Sequence, residues 1–101
     1  MRPVHLVQLD TWRPALVLTR EIARPQLRRV TVAPVTSTVK GLATEVPLGT
    51  ANGLDHECVV SCDNVTTISV DALGTQVGWL LPGQEPLLAL ALQAAYDLED
   101  P

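Results

Sequence analysis

For roughly its first eighty residues the chain alternates short apolar runs with polar breaks, and then the period changes. The runs "VHLVQL" (4–9), "ALVLTR" (15–20) and "RRVTVAPVT" (28–36) are rich in Val and Leu and are separated by proline-containing breaks. That pattern predicts β-strands. "TEVPL" (44–48), "ECVVSC" (57–62), "TTISV" (66–70) and "QVGWLL" (76–81) continue the series at close spacing. Short strands in such a series predict one small barrel or sandwich spanning about residues 3–81. Arg-Pro recurs at residues 2, 13 and 24, but the segments that follow do not match one another, so the proline marks strand starts and not a repeat.

After the breakers Pro82-Gly83 the chain reads "QEPLLALALQAAYDLED", built of Leu, Ala, Gln and Glu. These are helix formers, and Pro86 falls in the first turn, where its missing N–H costs nothing. A helix is expected from about Glu85 to Asp97, within the segment 85–98. Leu87, Leu88, Leu90, Ala91, Leu92, Ala94 and Ala95 cover more than one stripe, so part of this helix is expected to meet a second subunit.

One strand start carries candidate chemistry. In "LDTWRPALVLTR" (9–20) an Arg-Pro pair stands ahead of the apolar run Ala15-Leu16-Val17-Leu18. What an always-charged guanidinium meets at the mouth of a buried strand is the question this stretch raises.

Composition bounds the rest. A chain of 101 residues is one domain, 1–101, and a domain this small buries only a little over ~60% of its unfolded surface, so association is expected. No apolar run approaches the ~18 residues of a membrane span, and His5 and Gln8 interrupt any signal-like core in "MRPVHLVQLD". The expectation is a soluble, cytoplasmic protein without membrane attachment.

The net charge of −4 conceals a division. Residues 1–40 hold all seven basic side chains against two acids, and residues 41–101 hold nine acids and no base. A basic patch built from the first three strands is the footprint expected of a nucleic-acid binder; Arg24, Arg28 and Arg29 serve equally well to solubilise a hairpin.

Cys58 and Cys62, if they lie in one strand, stand roughly 13 Å apart, beyond the ~7 Å that a disulfide spans. His56, Cys58 and Cys62 would then share a face, but zinc wants four ligands, so buried thiols are the expected state and no metal or other cofactor is assigned.

The ordered set "VHLVQLD", "RPALVLTRE", "VTVAPVTSTVKG", "EVPL", "VVSCDNVTTI" and "VGWL" before a C-terminal helix resembles the MazF/PemK toxin family across nearly the whole chain. The resemblance implies a small SH3-like β-barrel with a terminal helix, mainly β with one α-helix. It further implies a homodimer that is a sequence-specific, metal-independent endoribonuclease. Such an enzyme cleaves single-stranded RNA to 2′,3′-cyclic phosphate and 5′-hydroxyl ends, and a cognate antitoxin with an acidic flexible tail neutralises it.

By the same resemblance the catalytic Arg falls on Arg13 and the catalytic Thr on Thr36, at the end of "APVT". RNA carries its own nucleophile, so the protein must orient the 2′-hydroxyl in line and stabilise phosphoryl charge. Arg13 offers a planar fork of donors and Thr36 a hydroxyl; a guanidinium, always protonated in a protein, is a poor general base. His5 has the right pKa class but occupies a strand position where packing is the expected role. Ser37 and Thr38 extend the Thr36 strand end, and Asp63-Asn64 take the family's place for an acid or amide near the RNA groove. Thr19, Arg20 and Lys40 are expected on the RNA surface, and Trp12 either stacks a base or plugs the barrel mouth.

Two departures from the family stand out. The loop between the first two strands is reduced to Asp10-Thr11-Trp12, and "DALGTQVGWLLPG" lacks the basic residues that many relatives carry there. A non-nucleolytic toxin acting on a protein such as a topoisomerase, or a plain interaction module, is the alternative for this fold.

Overall fold

The computed structural model describes residues 1–99; residues 100 and 101, the end of the expected domain, lie outside the described residues. Seven strands form one curled, half-barrel sheet: β1 (Pro3–Gln8), β2 (Trp12–Val17), β3 (Arg29–Thr36), β4 (Glu45–Leu48), β5 (Cys58–Ser61), β6 (Thr66–Ser69) and β7 (Leu73–Trp79). The helix α1 (Glu85–Tyr96) closes the chain. The strand order is β4-β5-β3-β2-β1-β7, with β6 also on β3. β3 is the pivot: its first half pairs with β6 through Val30↔Ile68, and its end pairs with β5 through Val35↔Val60.

The two faces of the sheet follow strict alternation along each strand. Val4, Leu16, Ala33, Val35, Val46, Val60 and Cys62 point to one face and pack with Leu88 and Ala91 of α1. Val7, Ala15, Val17, Val30 and Val32 point to the other and pack with Ile68 and Leu73. The second core covers only part of its face, and beyond Ala15 and Val32 the same parity leads to the polar residues of the candidate site.

β2 is displaced from its expected span, 15–20, to Trp12–Val17. It starts early because β1 pairs with it from Gln8↔Trp12 onward, whereas β3 joins only at Ala15. Pro14 is therefore an edge residue on the β3 side, where a missing N–H is tolerated. It stops early because the Thr19 hydroxyl, in place of a backbone carbonyl, accepts the Thr31 N–H at 2.8 Å. β7 begins three residues ahead of expectation, at Leu73, since its bulged pairing with β1 extends to Val7↔Leu73.

The helix ends at Tyr96 with Asp97 in the left-handed conformation, at φ 53°. Its entry is anchored by the Gln84 side chain, which accepts the Leu81 N–H at 2.9 Å and a hydrogen from the buried Asn52 amide at 2.7 Å. Asn52 sits there because Gly53 and Gly78 let two backbones touch; a Cβ on Gly78 would lie 1.7 Å from the Asn52 carbonyl oxygen.

Candidate active site

Arg13 and Thr36 meet through register. β2 and β3 pair as Ala15↔Pro34 and Leu16↔Ala33, and the same register carried two residues further sets Arg13 across from Thr36. Both have the parity of Ala15 and Pro34, so both side chains take the face away from α1. The pairing of β3 with β5 and of β5 with β4 continues the row to Ser61 and then, through Ser61↔Glu45, to Glu45. The result is a cleft of about 870 Å³ lined by Arg13, Thr36, Thr38, Lys40, Glu45, Ser61, Asp63 and Asn64, with Leu9, Pro34, Leu42 and Thr66 as its apolar and neutral walls.

The guanidinium of Arg13 is held at one end only. Its Nη2 donates to the Asp10 carboxylate at 3.2 Å. Its Nε is buried and has no hydrogen-bond partner. An unpaired buried donor costs about 1–3 kcal/mol, an expense a fold does not bear without reason. Exposed ion pairs of the Asp10 kind contribute ~0–1 kcal/mol, so an incoming anion can replace the carboxylate at little loss.

Thr36 is poised differently. Its Oγ1 accepts the backbone N–H of Thr38 at 3.1 Å, which leaves the hydroxyl proton free to be donated into the cleft. The segment after it is ordered by Glu45, whose carboxylate accepts the N–H groups of Lys40 at 3.2 Å and of Leu42 at 3.0 Å. Across the cleft the Thr44 hydroxyl donates to Asp63 at 2.6 Å, and the Asn64 amide donates to the Ser61 hydroxyl at 2.8 Å.

Of the residues expected in the site from sequence, Arg13, Thr36, Thr38, Lys40, Asp63 and Asn64 come together. Ser37 stands beside them in a smaller hollow at the sheet end. Trp12 is about half exposed with its ring laid over Gly74, where a Cβ would approach Cζ3 to 2.8 Å. Thr19 is committed to the β2 terminus. Arg20 lines a separate hollow with Met1, Arg2, Arg24 and Glu85. Arg29 begins β3, seven residues or roughly 23 Å from Thr36, and Arg28 precedes it. The basic half of the chain is thus dispersed, and the cleft balances Arg13 and Lys40 against Glu45 and Asp63.

His5 is half-buried in β1 with its Nδ1 bonded to the Gly74 carbonyl oxygen at 2.9 Å, and it forms no part of the cleft wall. Cys58 and Cys62 are free and buried, whereas His56 is exposed and precedes β5, so strand alternation does not extend to it and the three do not converge. β5 ends at Ser61, which puts Cys62 in the following turn. Burial, with a smaller push from Asp63, raises the Cys62 thiol to about 11, and burial likewise raises Cys58. Both are protonated thiols near neutrality and unsuited as nucleophiles. Among the described residues no three His, Cys, Asp or Glu side chains converge as a metal site, and no helix is long and apolar enough to cross a membrane. Glu45 and Ser61 went unsingled in the sequence; counting parity outward from Thr36 through the β3–β5–β4 pairing finds both.

Comparison with known proteins bears on the family and the fold. Residues 7–93 match the model of the PemK-like, MazF-like toxin of type II toxin–antitoxin systems. Endoribonuclease MazF3 of Mycobacterium tuberculosis is 60% identical over 99 residues, covering 98% of this chain and 96% of that protein. The structure of Mycobacterium tuberculosis toxin MazF-mt6 superposes with a TM-score of 0.96 at 59% identity, covering 97% of this chain and 99% of the other. An endoribonuclease in complex with its cognate antitoxin from a mycobacterial species superposes at 0.86 with 25% identity, covering 98% and 95%. With the half-barrel, the terminal helix and the Arg13–Thr36 cleft in place, the chain belongs to the PemK-like, MazF-like family of toxins of type II toxin–antitoxin systems.

Proposed function

We propose that the chain is a metal-independent, sequence-specific endoribonuclease that cleaves single-stranded RNA at the Arg13–Thr36 cleft. The observation that carries this reading is the Arg13 guanidinium, held by an exposed carboxylate alone, in the same cleft lining as a threonine hydroxyl with a proton to give. A phosphoryl oxygen is the acceptor whose geometry and charge suit both groups. The 2′-oxygen of the RNA, giving up its proton, attacks the adjacent phosphorus; the bond to the 5′-oxygen breaks and that oxygen takes a proton from water, so the products carry a 2′,3′-cyclic phosphate and a 5′-hydroxyl. Arg13 and Thr36 stabilise the charge that develops on the non-bridging oxygens. Asp10, freed from Arg13 when the phosphate takes its place, is a rim carboxylate that can take the 2′-hydroxyl proton. Lys40 holds a flanking phosphate, while Asp63 and Asn64 present acceptor and donor edges to splayed-out bases.

The test is cleavage of a single-stranded RNA pool in excess EDTA. Undiminished cutting at a recurrent short motif is expected; loss of cutting with the chelator, or intact RNA, contradicts the reading.

The active species is a homodimer, acting in the cytoplasm and silenced by an antitoxin whose acidic flexible tail fills the cleft in place of RNA by carboxylate pairing with Arg13 and Lys40. Support for the dimer comes from α1, which buries Leu88 and Ala91 against the sheet yet leaves Leu87 at 47% and Leu90 at 62% exposure. A twofold contact over that surface removes these leucines from water. Analytical ultracentrifugation at micromolar concentration is expected to give one species of twice the chain mass, and a clean monomer contradicts it.

A further inference from the structure

A second, smaller cavity opens at the end of the sheet, on the other side of Thr36 from the cleft. It encloses about 160 Å³ and is lined by Pro14, Val35, Thr36, Ser37, Leu54, Asp55, His56 and Cys58. Thr36 belongs to both hollows, as the last residue of β3. Pro14 and Val35 belong to the face opposite to that of Arg13, so the cavity lies around the sheet end from the phosphate position. Four walls are apolar: the Pro14 ring, Val35, Leu54 and the Cys58 thiol, which stays protonated. The other walls are polar: the Ser37 hydroxyl, the Asp55 carboxylate and the His56 imidazole, the last two bonded to each other at 2.9 Å.

We propose that this cavity is a base-binding subsite that receives one nucleobase next to the scissile phosphate and that His56 and Ser37 read it. The inference rests on the nuclease reading above. A cavity of about 150 Å³ accommodates a single six-membered aromatic ring, so one base fits, and a longer segment of RNA does not. A base has apolar faces and a polar edge, and the cavity offers apolar walls with a polar rim. The adjoining site fixes the sugar-phosphate backbone of the same strand, so a nucleotide whose phosphate lies on Arg13 and Thr36 has its base, or its neighbour's, within reach of the sheet end. There the imidazole of His56, oriented by Asp55, gives a planar surface for stacking, and the Ser37 hydroxyl can donate or accept at the base edge. The neighbouring Asp55 carboxylate accepts from an exocyclic amine and repels a carbonyl, which gives the subsite a means of discrimination. No part of the acid–base or charge-stabilising chemistry is assigned to these residues.

The experiment pairs His56→Ala and Ser37→Ala with RNA lacking a base. A short oligonucleotide carrying the mapped cleavage motif is prepared intact and with an abasic ribose immediately 5′ or immediately 3′ of the scissile phosphate. For the wild-type protein, one of the two abasic substrates is expected to lose about tenfold or more in kcat/KM. For His56→Ala the intact substrate is expected to fall by a comparable factor, while that abasic substrate falls no further. Ser37→Ala is expected to behave in the same direction with a smaller loss. Equal effects of each substitution on intact and abasic substrates overturn the subsite and leave the nuclease reading standing. Failure of the wild-type protein to cut any RNA overturns both. His56 is exposed, with 62% of its side chain in solvent, so its truncation leaves the fold intact, and an unchanged thermal transition confirms that any loss is local.

Discussion

Replacing Arg13 with alanine is expected to slow RNA cleavage by about a hundredfold or more, the usual cost of removing one preorganised donor from a site where charge develops. The substitution is expected to leave the fold untouched or slightly firmer. The guanidinium's protein partner is Asp10, three-quarters exposed, so no buried acceptor is stranded when the arginine goes. The Nε that disappears is a buried donor without a partner, so its removal relieves a penalty. Stability given up at this position and recovered as catalysis is the trade expected of a functional site. Arg13→Lys restores the charge but not the fork, and it is expected to rescue little. Single-turnover cleavage of a labelled oligonucleotide, together with a thermal melt of each variant, checks both halves. An alanine variant that cuts at the wild-type rate, or one that loses activity only because it unfolds, removes Arg13 from its assigned role.

Much of this architecture is legible in the sequence because each level of the chain agrees with the next. The Val-rich runs between proline breaks give seven strands, and the Leu-Ala segment after Pro82-Gly83 gives the helix, within a few residues of the observed Glu85–Tyr96. The strand limits that moved are the ones fixed by pairing. β2 begins at Trp12 because β1 claims that residue, and it ends before Thr19 because a hydroxyl takes over the ladder. Neither event leaves a local mark in "DTWRPALVLTR".

The candidate site divides along the same line. Arg13 stands out as a charged residue at a strand start, Thr36 is reached through the family resemblance, and register places the two opposite each other. Arg20 looked equivalent to Lys40 as a cation near a strand terminus, yet the two ends of β2 separate them into different hollows. Charge counted along the chain cannot distinguish residues that topology disperses. Glu45 was invisible for the converse reason. Its role is to accept the backbone N–H groups of Lys40 and Leu42, and a backbone segment carries no side-chain signature of the carboxylate that orders it. His56 was read only as a possible metal ligand beside Cys58, because strand alternation was assumed to continue through 56; β5 starts at Cys58, and the histidine turns outward to Asp55.

The largest effect is expected from the substrate and not from the protein. The cleft offers donors for a phosphate in Arg13, Thr36 and Lys40. In the proposed mechanism the nucleophile is the RNA's own 2′-oxygen, and the account stands or falls on that oxygen. Replacing the 2′-hydroxyl of the nucleotide 5′ to the scissile bond with hydrogen keeps the base, the phosphate and every contact proposed for Arg13 and Thr36, while removing the attacking group. Cleavage of an otherwise all-ribose oligonucleotide with that single change is expected to be abolished, with binding retained, and the unmodified strand is expected to yield a 2′,3′-cyclic phosphate and a 5′-hydroxyl by mass spectrometry. If the deoxy-substituted strand is still cut at the same bond, water is the nucleophile and the assignment of the attacking oxygen to the RNA is contradicted.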